Sequence, residues 1–345
     1  MDDAPPRTAG KRVTLADVAR VTGVTKATVS MVVNDKPGVR ISAETRARVL
    51  EAVAELGYRP DVLAQSLSRG SSRFIGIVSD ALATTPFAGE IIRGAQEEAW
   101  RRGYTLLIAN TGGDGEIEDA AIRMMLEHRV TGILYSTWYH RDVVTPATLR
   151  AVPHVLVNCF DPQHPDVCVV PDEEQGGRTA TLELLAAGHR NIAFVTSDQD
   201  APATRGRLRG YRSALAEYQG TEAADVIAVS PDQEGGYQAA QRLLSRAGRP
   251  SAVFCYNDRV AMGLYDALRE RGLSVPDEMS VVGFDNQDVI AAHLRPPLTT
   301  VALPHADLGV AGVEEILSDA PTSRVLPCPA VVRSSVAPLT AAVGR

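Results

Sequence analysis

The sequence lacks the marks of several common chemistries, and each absence removes a class of function. No run approaches the ~20 apolar residues a membrane-spanning helix needs. The first dozen residues hold Asp2, Asp3, Pro5, Pro6, Lys11 and Arg12 and no apolar stretch, so no secretory signal is expected there and the protein reads as soluble and cytoplasmic. The four cysteines, Cys159, Cys168, Cys255 and Cys328, show no Cys-x-x-Cys spacing, and the seven histidines include no His-x-x-x-His pair. Buried, reduced thiols are expected, with no metal and no cofactor. There is no Walker loop, no Gly-x-Ser-x-Gly elbow and no Gly-x-Gly-x-x-Gly after a strand. The nearest glycine cluster, Gly112-Gly113-Asp114-Gly115, reads as a turn.

What is present is long enough for more than one folding unit: 345 residues, 45% hydrophobic and 22% charged. The charge is uneven. Residues 1–73 hold 12 Lys and Arg against 8 Asp and Glu, a surplus of four, so with a net charge of −7 the remainder stands at −11. A basic head on an acidic body suits a polyanionic partner at one end only.

In that head, Thr14 followed by Leu15, Asp17, Val18 and Ala19 has the form of an N-cap with an acid three positions on, and predicts a helix from about Leu15 to Val21. Gly23 breaks it, and Thr25 caps a second helix over Lys26 to Val33. At 100° per residue Lys26, Ala27, Ser30, Met31 and Asn34 share an outward arc, while Val29, Val32 and Val33 face the other way. A third helix begins at Ser42, buries Val49, Val53 and Leu56, and stops at Gly57. This is the pattern of a helix-turn-helix, although periodicity alone equally allows a three-helix bundle that binds a protein. Asp61 to Ser72 reads as a two-turn helix ending in a Gly/Ser run, too short to be stable unless something packs on it.

From Arg73 apolar strands alternate with amphipathic helices. Strands are expected at Phe74 to Val78, Thr105 to Ala109, Gly132 to Tyr135, Val155 to Asn158, Asn191 to Val195, Val226 to Val229, Ala252 to Tyr256 and Ser280 to Phe284. Helices are expected near Ala88 to Arg102, Glu116 to His128, Glu173 to Ala187, Leu208 to Tyr218, Glu234 to Arg246 and Arg259 to Arg271. Two such series mean two doubly wound α/β lobes, with a ligand cleft where the carboxyl ends of their strands face each other. Phe87 and Trp138 are aromatic strand-end residues placed to stack on a ligand ring or to join the core.

The segments Val13 to Ala19, Gly23 to Ser30, Val33-Asn34 and Leu56-Gly57-Tyr58-Arg59-Pro60 resemble the DNA-binding head of the LacI family. The body resembles the same family, and through it the periplasmic sugar-binding proteins, at Pro86-Phe87-Ala88, Arg207-Leu208-Arg209-Gly210-Tyr211, Asn257-Asp258, Val282-Gly283-Phe284-Asp285 and Pro297 to Val301. The resemblance implies a homodimeric, non-enzymatic regulator that binds near-palindromic double-stranded operator DNA under the control of a small-molecule effector, most simply a carbohydrate.

By that resemblance Lys26, Ala27 and Met31 read bases in the major groove. Lys26 can donate to guanine, whereas Ala27 and Met31 offer apolar contact, an unusual choice at Met31, where many relatives are polar or basic. Thr14, Thr25, Ser30 and Asn34 hold phosphates or cap helices. Ala64 and Leu67 act in the minor groove, with Leu67 as the wedge, and Asp61 stands where the family commonly has Asn. Effector contacts carry over to Arg207, Asn257 and Asp285, with Asn158 at a further pocket position. Each is expected at a strand end or helix start; Asn257 and Asp285 could equally be caps, and Arg207 part of a solvated face.

The implied division is a disordered tail over 1–12, a head over 13–60, a hinge over 61–72 and an effector-binding body over 73–345. One lobe of that body takes about 73–170 with 302–326, the other 171–301 with 327–345. The competing class is a carbohydrate-active enzyme or solute-capture protein with a helical N-terminal module.

Overall fold

A computed structural model describes residues 13–34, 40–58, 72–81, 89–219 and 225–339. They fall into two compact units, one within Met1–Ser72 and one within Arg73–Arg345. The expectations for the tail over 1–12, for Ala64 and Leu67, and for Phe87 lie outside the described residues.

Among its described residues the first unit has three helices: α1 (Leu15–Thr22), α2 (Lys26–Val33) and α3 (Ala43–Glu55). Short-range chemistry sets each boundary. The hydroxyl and N–H of Thr14 both donate to Asp17 Oδ2, at 2.7 and 3.0 Å. Thr25 Oγ1 accepts from the N–H of Thr28 at 3.1 Å, and Ser42 Oγ from that of Thr45 at 3.2 Å. Gly23 ends α1 with φ +71°, and Gly57 lies just beyond α3 with φ +63°; a side chain at either would strain the left-handed backbone. Val18, Val29, Val32 and Val49 form the buried centre, with Leu15, Val33, Val53 and Leu56 packed around it.

The body runs β1 (Phe74–Ser79), α4 (Gly89–Arg101), β2 (Thr105–Asn110), α5 (Gly115–Glu127), β3 (Ile133–Asp142), β4 (His154–Phe160), β5 (Cys168–Pro171), α6 (Glu173–Ala186), β6 (Ile192–Ser197), α7 (Pro202–Gln219), β7 (Asp225–Val229), α8 (Gln233–Leu244), β8 (Ala252–Cys255), α9 (Asp258–Glu270), β9 (Ser280–Asp285), β10 (Thr299–Ala302), α10 (His305–Ile316), β11 (Arg324–Leu326) and β12 (Ala330–Val331). Two six-stranded sheets result, ordered β11-β5-β4-β3-β1-β2 and β12-β10-β9-β8-β6-β7. All pairings are parallel except that of β10 with β12.

Apolar helices cover both faces of each sheet. The chain passes from one sheet to the other between β5 and α6, between β10 and α10, and between β11 and β12. Leu308, Ala311, Val313 and Ile316 of α10 pack with Ile75 and Ile77, so this helix returns to the first lobe.

Three differences from the sequence reading are physical. Helix α7 begins at Pro202, six residues before the expected Leu208. Gly206 and Gly210 look like breakers, but they are where α7 crosses α6: a Cβ on Gly210 would sit 2.0 Å from the carbonyl oxygen of Glu174. Strand β3 runs on through a register shift between Ser136 and Arg141 to Asp142, well past Tyr135. Strands β5, β10, β11 and β12, two to four residues each, and helix α10 were not among the expected elements. Among the described residues no helix is long and apolar enough to cross a membrane. The cysteines are free thiols, three buried and Cys168 half-buried.

Candidate functional site

The head presents α2 as a helix held from behind by Val29 and Val32, with Lys26 and Ala27 exposed and Met31 half-buried. The polar residues around that face are engaged locally. Thr14 is tied to Asp17 and Thr25 to Thr28, and Ser30 Oγ accepts from Asn34 Nδ2 at 3.1 Å. These bonds fix α2 in register and leave Lys26 and Ala27 open to a partner.

In the body, the two lobes meet around a chamber of about 40 Å3 whose wall includes Trp138, His140, Arg207, Asn257, Asp285 and His305. A larger hollow of about 1040 Å3 shares Arg259, Asp285, Leu303 and His305 with it. Trp138 and His140 come from the end of β3, Asn257 from the turn between β8 and α9, and Asp285 from the last position of β9. Asp285 and Asn286 have φ of +93° and +53°, a strained backbone of the kind that gathers at functional sites.

Arg207 does not sit at a strand end or helix start. It lies in the second turn of α7, buried, because the helix begins earlier than its glycines imply. Its guanidinium is enclosed: Nε donates to Glu173 Oε2 at 2.8 Å, Nη1 donates to the carbonyl oxygen of Tyr256 at 2.5 Å, and Nη2 stands 3.5 Å from Asp285 Oδ1. Its flat face lies over Phe284, 3.7 Å from the ring centre, with Tyr256 at 4.5 Å. A solvated face is thereby ruled out.

Burial alone pushes the Glu173 carboxyl up, but Arg207 and the adjacent His140, whose Nδ1 is 3.4 Å away, outweigh it and bring it down to about 2. Asp285 moves the other way: burial raises it, with Arg207 opposing. Beneath it, fully buried Asp258 is raised well above the usual carboxylate range by burial and by Asp285; its oxygens accept from Thr300 Oγ1 and the N–H of Gln287, both at 2.6 Å. Burial lowers His305 to about 4, so it is neutral near pH 7.

Asn257 is a cap. Its Oδ1 accepts from the N–H of Val260 at 2.8 Å, and its Nδ2 donates to the carbonyl oxygen of Pro231 at 3.0 Å. Asn158 lies inside β4 with φ +61°. Its Nδ2 donates to the carbonyl oxygen of Thr137 at 3.0 Å, while Oδ1 is buried with no hydrogen-bond partner among the described residues. Trp138 is half-buried on the chamber wall, edge-on to Tyr139 at 4.7 Å. Its N–H on the main chain donates to Asp80 Oδ1 at 3.1 Å.

Sequence reasoning missed Glu173, His140 and His305. Glu173 opens α6 directly after the N-cap Asp172, where an acid reads as ordinary helix-start chemistry. His140 lies on the unforeseen part of β3, and His305 opens the unforeseen α10. Arg205 adds an exposed tie between lobes, 2.9 Å from Asp142 at the end of β3.

Residues 14–61 match the family described as bacterial regulatory proteins, lacI family, and residues 72–332 match the periplasmic binding proteins and sugar binding domain of LacI family. The chain belongs to the LacI family. It is 36% identical over 315 residues to the HTH-type transcriptional repressor PurR of Vibrio campbellii, covering 88% of this chain and 91% of the relative. It is 33% identical over 313 residues to the ribose operon repressor of Haemophilus influenzae, with the same coverage.

Among solved structures, the Lac repressor dimer bound to operator and the anti-inducer ONPF matches with a TM-score of 0.80 at 29% identity, over 95% of this chain and 100% of that one. A LacI family regulator from Enterococcus faecium with bound ribose matches with a TM-score of 0.65 at 26% identity, over 77% and 100%. This LacI-family member is a DNA-binding transcriptional regulator with an effector-binding body, not an enzyme.

Proposed function

We propose that this LacI-family protein is a cytoplasmic repressor that binds a near-palindromic operator as a homodimer and changes its affinity when a sugar or sugar derivative enters the interlobe cleft. Residues 13–60 read DNA, 61–72 form the hinge, and 73–345 sense the effector. Lys26, Ala27 and Met31 meet base edges, and Thr14, Thr25, Ser30 and Asn34 set the approach to phosphates. Ala64 and Leu67 from two paired hinges enter the minor groove. Trp138 stacks on the effector ring, Asp285 accepts from its hydroxyls, and Arg207, Asn257, Asn158 and Phe87 shape the rest of the cleft.

The observation that carries this reading is the exposed start of α2: a lysine and an alanine facing outward on a helix whose opposite side is a valine core. A sugar is favoured over other small molecules because Trp138 and the buried carboxylate of Asp285 line the same chamber, a platform and an acceptor for a hydroxylated ring. Two of the similar proteins point the same way, one being named for the ribose operon and one solved with ribose bound.

The test is electrophoretic retardation of genomic fragments by the full chain, with and without sugars. Tight, sequence-selective complexes whose affinity falls steeply with salt are expected, because neutralised phosphates release counterions, and at least one sugar should change them. A complex insensitive to both salt and sugars would refute the proposal.

A further inference from the structure

We infer that Glu173 fixes the charge class of the effector: by occupying Arg207 it makes the cleft a receptor for an uncharged sugar and turns away sugar phosphates and sugar acids. The inference rests on the sugar-cleft reading above and narrows it.

An anion-binding cleft built on arginine uses a guanidinium with a free fork, since two parallel N–H bonds to one carboxylate or phosphate give such sites their strength. Each nitrogen of Arg207 already faces a partner inside the protein. Nε goes to Glu173, Nη1 to the carbonyl oxygen of Tyr256, and Nη2 lies beside Asp285. An anion brought to this side chain would stand next to two carboxylates already there, and in a buried site like charges repel strongly.

Among the described lining residues of the two hollows acids outnumber arginines, Glu90, Asp285, Asp288, Asp307 and Glu314 against Arg207, Arg259 and Arg324. Arg259, on the wall of both hollows, draws the carboxyls of Asp232 and Asp285 down, and burial keeps His305 neutral. The adjoining hollow is acidic: Glu90, Asp288, Asp307 and Glu314 line it with Arg324 as its one further arginine or lysine among the described residues. A field of that sign lowers the local concentration of anions before they reach the chamber. Asp285, Trp138 and Gln199 remain on the wall as a hydroxyl acceptor, a ring platform and an amide, a set suited to a neutral polyol.

The test uses the full-length protein, with binding read by calorimetry and by the change in tryptophan fluorescence, to which Trp138 on the chamber wall and the exposed Trp100 both contribute. The probes are matched pairs, D-ribose with D-ribose 5-phosphate and D-glucose with D-glucose 6-phosphate, and inorganic phosphate alone. The wild type should bind a neutral member at least tenfold more tightly than its phosphorylated partner and should not saturate with phosphate. Glu173→Gln, which keeps the shape and removes the charge, should narrow that ratio about tenfold and acquire saturable phosphate binding.

Tighter binding of a phosphorylated member by the wild type, or saturation with phosphate, overturns the inference, and this arm stands even if the variant does not fold. A folded Glu173→Gln with an unchanged ratio also overturns it. If the wild type retards operator DNA but binds none of these sugars, the sugar reading fails separately. The phosphate arm then decides alone: binding gained by the variant supports the role of Glu173, and no gain refutes it.

Discussion

Replacing Arg207 with methionine tests the core of the body most directly. The apolar chain keeps much of the volume and removes the charge, leaving Glu173 and Asp285 buried without their shared cation. Breaking a buried ion pair from one side costs about 3–5 kcal/mol. For a body of this size each kcal/mol moves the midpoint by roughly 2–4 °C, so a fall of about 6–20 °C is expected.

The pH dependence makes the test sharper. Glu173 is held near 2, against an ordinary value of 4.5. Its folded pKa is depressed, so its contribution is fully present above pH 4.5 and is lost as pH falls toward 2, in total about 3 kcal/mol. Without the guanidinium, burial dominates and Glu173 takes up a proton on folding. The stability gap between wild type and variant should therefore be widest at pH 7 and shrink on going to pH 3. Thermal melts and urea unfolding, both followed by circular dichroism at pH 7, 5 and 3, measure the midpoint and the gap. A midpoint within about 2 °C of wild type, or a gap that does not change with pH, would refute the account of Arg207 as a buried counter-ion.

Gly210→Ala should destabilise the body by more than about 3 kcal/mol, because its Cβ would lie 2.0 Å from a main-chain oxygen of α6; Gly248→Ala, which meets nothing within 4 Å, is the control and should change the thermal midpoint little. His305→Asn should flatten the stability curve between pH 6.5 and 4. His305 is neutral when folded and takes a proton in the unfolded chain below 6.5, so the wild type loses stability as pH falls through that window to about 4. A variant curve parallel to wild type in a pH series of melts would count against its burial. Lys26→Ala should leave stability unchanged while weakening specific DNA binding by about 1–3 kcal/mol, and Leu67→Ala should weaken specific more than non-specific binding, both read by retardation against operator and scrambled duplexes.

The head was nearly all legible because its chemistry is local. Thr14, Thr25 and Ser42 each meet a partner three residues away, and Gly23 and Gly57 mark the turns, so caps and periodicity sufficed. The body was legible where elements are long. The short strands β5 and β10–β12 escaped because two to four residues carry no period, and their existence depends on a neighbour distant in sequence: β11 pairs with β5 across more than 150 residues.

The chemistry of Arg207 was hidden for the same reason. Its hydrogen-bond partners are 34 and 49 residues away, and a run of Arg205, Arg207 and Arg209 looks like a wet surface until the fold buries the middle one. Arg205 and Arg209 do remain exposed, paired with Asp200 and Glu174.

Several groups at the cleft serve the scaffold before any ligand arrives. Asn257 holds the start of α9, Arg207 clamps Glu173 and Tyr256, and His140 reaches from the first lobe to the start of α6. The chamber among them, about 40 Å3, is far below the 300–1,000 Å3 of typical small-molecule sites, so a sugar enters only if the lobes move apart or its ring displaces these contacts. The free energy of that rearrangement is the quantity an effector shifts, since a ligand moves an equilibrium only by the difference in its affinity for the two states. The contacts that reach from one lobe to the other, Arg205 with Asp142 and His140 with Glu173, contribute to the free energy of that rearrangement. Asp142→Ala, which cuts the exposed tie and leaves the chamber wall in place, should therefore shift the sugar concentration that gives the half-maximal change in DNA binding, and change DNA affinity without sugar as far as the tie biases the lobes. Equal responses of variant and wild type in a titrated retardation assay would show that the ties between the lobes play no part in the response.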